Sequence, residues 1–465
     1  MKFTNFRKAL LMSALSAGAL LCVTSCIENY SVGYLYVTGT QTSGTSGTGI
    51  VSGFKIDHNT GFLTPIATMP VSSGGANPVR AVLIDNSTFF YVLNRGVPQS
   101  GQTECSTAFP CQNANITQFI VGANGALTSQ ATYTTQGFNP FRMIADPTGS
   151  YIYVLEHDSP DNYNQSEPAL ANGCTQALLG VSTCGDITAF LVNSTTGRLS
   201  LLANSTVKVT TAASGTQNLT YFPVPANPVD FTLSNSILLT LSGSATTASA
   251  AYPFTGGSVA FPYTYNSVGG QLTVNQNSAQ PLSISQGTAV IGLGVYDLVL
   301  DNEPLTVGGS VASQSQIVPY QVTGNGAIVA ASSGPFPDDA NQSNPIVGFE
   351  ENKGRWFYVA NRSGVSSTNT ADGGITGYVI NSPFQPTEMA GTPIGFGTGG
   401  NPQCMVEDPS NQYFYEANFN DSTVTAQEIN EQGGNLTPLS QSSKAPSQYT
   451  LTGPPTWCLV DGRIN

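Results

Sequence analysis

The densest cluster of ionisable side chains in the sequence is Glu156-His157-Asp158. A histidine beside carboxylates can serve as a general base near neutral pH, which makes Glu156 and His157 candidate catalytic residues. Successive strand residues point to opposite faces, so Glu156 and Asp158 are the two that can share a side. Three more charges hold one place in a repeat. Arg80, Arg142 and Asp230 each follow an Asn-Pro-x sequence, at Asn77-Pro78, Asn139-Pro140 and Asn227-Pro228. Guanidinium groups hold carboxylates or phosphates in bidentate fashion. Arg142 therefore joins the catalytic candidates, and Arg80, Arg95, Asp230 and Arg362 are the ligand-binding ones. The plainer alternative pairs the arginines with Asp230 or nearby acids. Asn94, Glu156, Asp230 and Asn361 offer hard oxygen donors that suit a divalent cation; no other cofactor is expected. There is no Gly-x-Ser-x-Gly elbow in strand-to-helix context and no phosphate-cradling loop.

The elements that must position these residues are marked by a short hairpin signature, a polar turn followed by Gly-x-Leu-Thr or a close variant. It occurs at Gly61-Phe62-Leu63-Thr64, Gly125-Ala126-Leu127-Thr128, Gly197-Arg198-Leu199-Ser200, Gly270-Gln271-Leu272-Thr273, Gly326-Ala327-Ile328-Val329 and Gly434-Asn435-Leu436-Thr437. A degenerate copy spans Asn381 to Thr387 and completes seven. Polar and glycine residues supply the positive φ angles of tight hairpins, and repetition at tens of residues implies a solenoid, an array or a propeller.

Each repeat holds four strand-like runs, here A to D from the inside outwards, and no convincing amphipathic helix. Seven such units predict an all-β, seven-bladed propeller of four-stranded antiparallel blades. The first unit lacks strand A, and Pro454 to Asp461 is a lone A strand, so the C-terminal strand is expected to close the ring in the first blade. Ile291 to Asp297 is the expected A strand of the fifth. Strand direction then sorts the loops. The starts of A, the ends of B and the B–C loops share one face, the top, where the channel mouth gathers Arg80, Arg142, Asp230, Arg95, Glu156, His157, Arg362 and Glu416. The C–D hairpins, with His58, lie on the bottom.

Lys2, Arg7 and Lys8, the apolar run Ala9 to Cys22, and Val23-Thr24-Ser25-Cys26 read as a lipoprotein leader. This pattern resembles the bacterial lipobox, which implies cleavage before Cys26 and its acylation. Residues 1–25 are then signal peptide, 26–32 a short tether and 33–465 a single propeller domain, in a monomeric protein lipid-anchored to the cell envelope at the outer membrane. The tether enters blade 1 from the bottom, so the bottom is expected to face the membrane. Six cysteines follow, an even number that suggests disulfides in an exported chain. Cys105–Cys111 and Cys174–Cys184 are close in sequence, in polar loops without zinc-like spacing. Cys404–Cys458 would tie neighbouring inner strands where the ring closes. A net charge of −13 excludes nucleic acid as a partner.

The Tyr-Val-x-Asn and Asp-Pro-x-Gly repeats, together with Gly-x-Leu-Thr after each C strand, resemble the lactonase family of seven-bladed propellers. That family includes bacterial 6-phosphogluconolactonase and fungal muconate-cyclising enzymes, and it merges into surface YVTN-repeat proteins. The resemblance runs from about Tyr34 to Asp461 and rests on scaffold residues. It implies hydrolysis of a sugar lactone or related cyclic ester at the top of the channel. The chain departs from the family at Phe138-Asn139-Pro140-Phe141-Arg142, where a histidine is expected and none stands; His58 and His157 are its only two. The other class is a non-catalytic envelope propeller that binds a glycan, peptide or partner protein through its stapled top loops.

Overall fold

Short apolar runs broken by glycine- and asparagine-rich turns favour strands, and in the computed structural model every regular element among the described residues is a strand. The structure describes residues 31–41, 47–84, 88–106, 108–160, 177–178, 181–211, 215–225, 227–243, 258–274, 282–323, 327–339, 342–364, 373–381, 384–392, 394–395, 400–439 and 447–462. Cys26, the rest of the leader and Cys174 lie outside these residues, and so does the Cys174–Cys184 pairing.

Seven antiparallel sheets stand around a channel. Their innermost strands are Pro455–Asp461, Pro78–Ile84, Phe138–Ala145, Pro228–Ser234, Gly287–Gly292, Gln342–Glu350 and Pro402–Glu407; each contacts the next and the last returns to the first. The C-terminal strand closes blade 1 as expected, pairing Asp461 with Tyr34 and Trp457 with Thr38. Cys404 and Cys458 form the disulfide across the closing seam. Their strands are offset by one residue: Cys404 takes the place of Arg80, whereas Trp457, just before Cys458, does so in blade 1.

Two details depart from the sequence reading. The outer strand D is one piece in blade 2 (Leu127–Tyr133) but two in the others, as where Leu63–Pro65 and Val71–Ala76 both pair with Thr48–Asp57. Strand A of blade 5 is Gly287–Gly292 rather than Ile291 to Asp297. Gly294, at φ 70°, makes the turn to Tyr296–Asp301. That turn lacks the Asp-Pro-x-Gly signal, so the sequence reads straight through it.

The hairpin signature works between blades. Tyr36, Tyr91, Tyr153, Tyr358 and Tyr415 donate hydrogen bonds of 2.5–2.7 Å to the carbonyls of Gly125, Gly197, Gly270, Gly434 and Gly61, each in the following blade. These glycines have φ of 64–79°, and a Cβ on any of them would strike the aromatic ring at the start of the preceding blade's strand B: Tyr34, Phe89, Tyr151, Trp356 or Tyr413. Glycine is thus required both by the backbone and by the ring against it. Leu239 and Leu298 stand at the tyrosine position in blades 4 and 5. Tyr91→Phe is expected to cost about 1 kcal/mol, the net worth of one buried hydrogen bond. Gly197→Ala should cost more, because a left-handed alanine alone costs about 1–2 kcal/mol before the collision with Phe89. Urea unfolding checks the order; an alanine variant as stable as wild type would contradict the latch.

Candidate functional site

Blade opening aims the channel residues. Asn77, Asn139, Asn227, Asn344 and Asn401 all adopt left-handed backbone, with φ of 51–59°. A following proline disfavours the right-handed helical region, and asparagine tolerates the left-handed one through local side-chain hydrogen bonds. Asn77 Nδ2 donates to the Gly96 carbonyl at 2.7 Å, tying the start of A to the end of B. Strand pairing then slips by one residue between Pro78 and Arg80, Pro228 and Asp230, Pro345 and Val347, and Pro402 and Cys404. Such bulges re-aim a side chain. The shared repeat position read from the sequence is therefore a channel-facing one.

Arg80, Arg142, Asp230 and Arg362 line a single cavity of about 440 Å³ at the top of the channel, together with Thr288, Asn344, Gln403, Thr456 and Trp457. Asp230 is shared: Arg142 Nε lies 3.2 Å and Arg80 Nη2 3.7 Å from Oδ1, and the Val290 amide donates to Oδ2 at 3.0 Å. The Arg80 guanidinium lies over the Trp457 ring, 3.4 Å from its centroid. Burial, and next the charge of Arg142, pull Arg80 well below the usual arginine range, while Asp230 opposes them. Across the cavity, Arg362 Nε donates to Asn401 Oδ1 at 3.0 Å. Three arginines against one aspartate leave the lining cationic.

The other predicted residues, Glu416 included, stand outside this lining, because the last positions of strand B are buried between strands and blades. Glu156 is fully buried, and its Oε2 accepts from the Gly137 amide at 2.9 Å and Thr188 Oγ1 at 2.6 Å. Burial raises its pKa, and these hydrogen bonds oppose the rise. His157 stacks on Phe141 with centroids 4.0 Å apart. Burial, followed by Arg95 and Arg142, lowers it to about 3, so its ring is neutral near pH 7. Asn94 is buried among Ser73, Asn115 and Thr117, and Asn361 is buried in blade 6 opposite Pro345. Asn94, Glu156 and Asn361 are thus kept apart from Asp230. Among the described residues no three His, Cys, Asp or Glu side chains are grouped around one point.

Arg95 sits outside the cavity, near Glu104 and Asp158, whose charges oppose the lowering of its pKa by burial. It opens the B–C loop that carries the Cys105–Cys111 disulfide. That loop lies over blade 3: Asn139 accepts from the Cys111 amide at 2.9 Å and donates to the Ser106 carbonyl at 3.2 Å and Asp158 Oδ2 at 2.7 Å. Sequence reasoning missed Trp457, Asn344 and Gln403 as cavity residues. Trp457 could have been found by extending the Asn-Pro-x-Arg alignment to Pro454-Pro455-Thr456-Trp457.

Buried carboxyls give the fold a pH signature. Burial pushes Glu416 up to about 8 and Glu350 and Glu407 to about 7. Unfolded, such groups titrate near about 4.3, so between that pH and the folded value the native state holds protons that the unfolded chain has lost. Stability therefore falls as pH rises through 7 to 8. His157, lowered in the fold, acts in the opposite sense but only below its ordinary value of 6.5. The urea midpoint should be higher at about pH 6.5 than at about pH 8.5; a midpoint that rises with pH over that window would contradict these assignments.

No protein-family model matches the sequence, and no curated protein matches it significantly. Solved structures do match. A periplasmic gluconolactonase from Pseudomonas aeruginosa is 13% identical with a TM-score of 0.59, over 92% of this chain and 98% of that one. A candidate 6-phosphogluconolactonase from Bacteroides fragilis is 14% identical with a TM-score of 0.58, over 94% and 99%. Another from Bacteroides uniformis is 13% identical with a TM-score of 0.58, over 93% and 100%. At such identity the likeness is one of fold, and the chain is a seven-bladed β-propeller built like these lactonase-type proteins.

Proposed function

We propose that the protein hydrolyses a small sugar lactone or related cyclic ester in the cavity at the top of its channel, as an exported propeller held to the envelope by a lipid on Cys26. The observation that carries this reading is the convergence of Arg80 and Arg142 on Asp230 in a cationic cavity of small-molecule size. When water adds to a lactone carbonyl, negative charge grows on the carbonyl oxygen. The ring C–O bond then breaks, the ring oxygen takes up a proton, and a carboxylate remains. Two guanidinium groups held beside that oxygen stabilise both the transition state and the product. Asp230 is the carboxylate of the cavity lining, and its oxygens are already taken up by Arg142, Arg80 and the Val290 amide. The chemistry therefore rests on charge stabilisation.

The fold neighbours support the substrate class, and the disulfides suit an oxidising compartment. The second reading, a binding propeller that retains a glycan, peptide or partner protein without turnover, is favoured by the location of Glu156 and His157 outside the cavity. Proton release from a panel of aldonolactones, followed at constant pH with wild type and Arg142→Ala, separates the two. The lactonase reading expects turnover by wild type and its loss in the variant. No turnover of any lactone, with retained binding of envelope glycans or proteins, would leave the binding reading.

A further inference from the structure

The second residue of strand B faces the preceding blade, as the Tyr36–Phe90 and Tyr358–Phe414 ring contacts show, at 5.1 and 5.2 Å. In six blades that residue is Leu35, Phe90, Ile152, Leu238, Phe357 or Phe414, all apolar and fully buried. In blade 5 it is Asp297, equally buried, and neither carboxylate oxygen makes a hydrogen bond of good geometry. Facing it from blade 4 is the buried Ser234 hydroxyl, near enough to restrain the rise in the Asp297 pKa but outside good hydrogen-bond geometry. Thr232 lies on the same channel-lining strand. Gly292 pairs with Asp297 across the sheet. A methyl group on Gly292 would collide with Ser234 Oγ and come within 2.8 Å of Thr232 Oγ1, so glycine lets both hydroxyls pack against the strand that pairs with Asp297.

A carboxyl at a core position is held by a hydrogen-bond partner, a proton or a metal ion. One carboxylate with two hydroxyls is a hard-oxygen set, and such oxygens select ions like sodium and calcium over softer metals. The location adds a reason. Blade 4 carries Leu239, and blade 5 Leu298, where five blades carry the latching tyrosine, so the seam between blades 4 and 5 is one of two that lack that hydroxyl.

We propose that Asp297, Ser234 and Thr232 form a site for a hard, oxygen-seeking cation that joins blades 4 and 5 where the tyrosine latch is missing. Burial raises the Asp297 carboxyl to about 7, so near neutral pH a proton is the competing occupant.

The test is thermal unfolding of chelator-dialysed full-length protein in sodium, calcium or choline chloride at equal ionic strength, with Asp297→Asn and Asp297→Leu beside wild type. The leucine variant restores the residue type of the other blades and keeps the comparison available if the asparagine variant does not fold. The proposal expects wild type to unfold at least ~2 °C higher in sodium or calcium than in choline, as ligand linkage requires, and both variants to lose that difference. The sodium and calcium arms identify the ion. Equal midpoints in all three salts, with stability set by pH alone, would mean that the carboxyl is held by a proton and would overturn the site. A salt response that survives in Asp297→Leu would overturn it as well.

Discussion

Arg142→Ala should weaken binding of gluconate, the open product of a simple sugar lactone, by roughly tenfold to a hundredfold. A hydrogen bond to a charged group contributes about 1.5–3 kcal/mol, and each 1.4 kcal/mol is about tenfold in affinity. Arg142 is the better probe of the pair. It is 28% exposed against 14% for Arg80, and it does not support the Trp457 ring as Arg80 does. The opposite sign is expected for Asp230→Asn, which removes the one negative charge of the lining and frees both guanidinium groups for a ligand anion. That variant should bind gluconate more tightly while folding less stably, because Arg80 is left buried beside Arg142 without its counter-charge. Calorimetric titration reads both affinities. If Arg142→Ala bound as wild type does, or if Asp230→Asn bound less tightly, the arginines would be paired scaffold residues and the ligand would lie elsewhere.

Removing the Cys404–Cys458 disulfide is the second large effect. It links residues 54 apart in sequence across the seam where the ring closes, and a loop of that length corresponds to ~4 kcal/mol of lost unfolded-state entropy. Cys105–Cys111 spans six residues and the same relation gives ~2 kcal/mol for it. The double variant Cys404→Ala, Cys458→Ala should therefore have the lower urea midpoint of the two double variants. Strand pairing from Tyr34–Asp461 to Gly39–Pro455 still holds blade 1 together without the bond, so the variant should fold and close its ring. A reductant should bring wild type to a midpoint below that of this variant, because it opens Cys105–Cys111 as well. Equal stability with and without the seam disulfide would mean that strand pairing alone closes the ring.

The repeat made the fold legible because its residues are needed for geometry. The hairpin glycines lie under aromatic rings, and the Asn-Pro pairs need a left-handed asparagine, so both keep their identity from blade to blade. The same repeat located Arg80, Arg142 and Asp230 correctly, since a bulge after each proline turns one position toward the channel. Glu156 was harder to place, because at the end of strand B the sequence does not distinguish a side chain entering the channel from one entering the gap between strands. Its partners, Gly137 and Thr188, come from the loop before the blade and from strand C, and only folding brings them together. Blade 5 was misread by several residues because Leu293-Gly294-Val295 turns the chain with one glycine inside an apolar run. Trp457 escaped notice because its blade opens on Pro-Pro instead of Asn-Pro.

If the cavity lined by Trp457 takes a small sugar acid or its lactone, that ring must sense the ligand. The chain has two tryptophans, and Trp356 is buried against Gly434, away from the cavity. Fluorescence of a Trp356→Phe protein therefore reports Trp457 alone. Titration with gluconate should give a saturable change in its emission, one that Arg142→Ala shifts to at least tenfold higher concentration. Unchanged Trp457 emission at every gluconate concentration, or an identical curve in Arg142→Ala, would mean that the cavity does not bind sugar acids through Arg142.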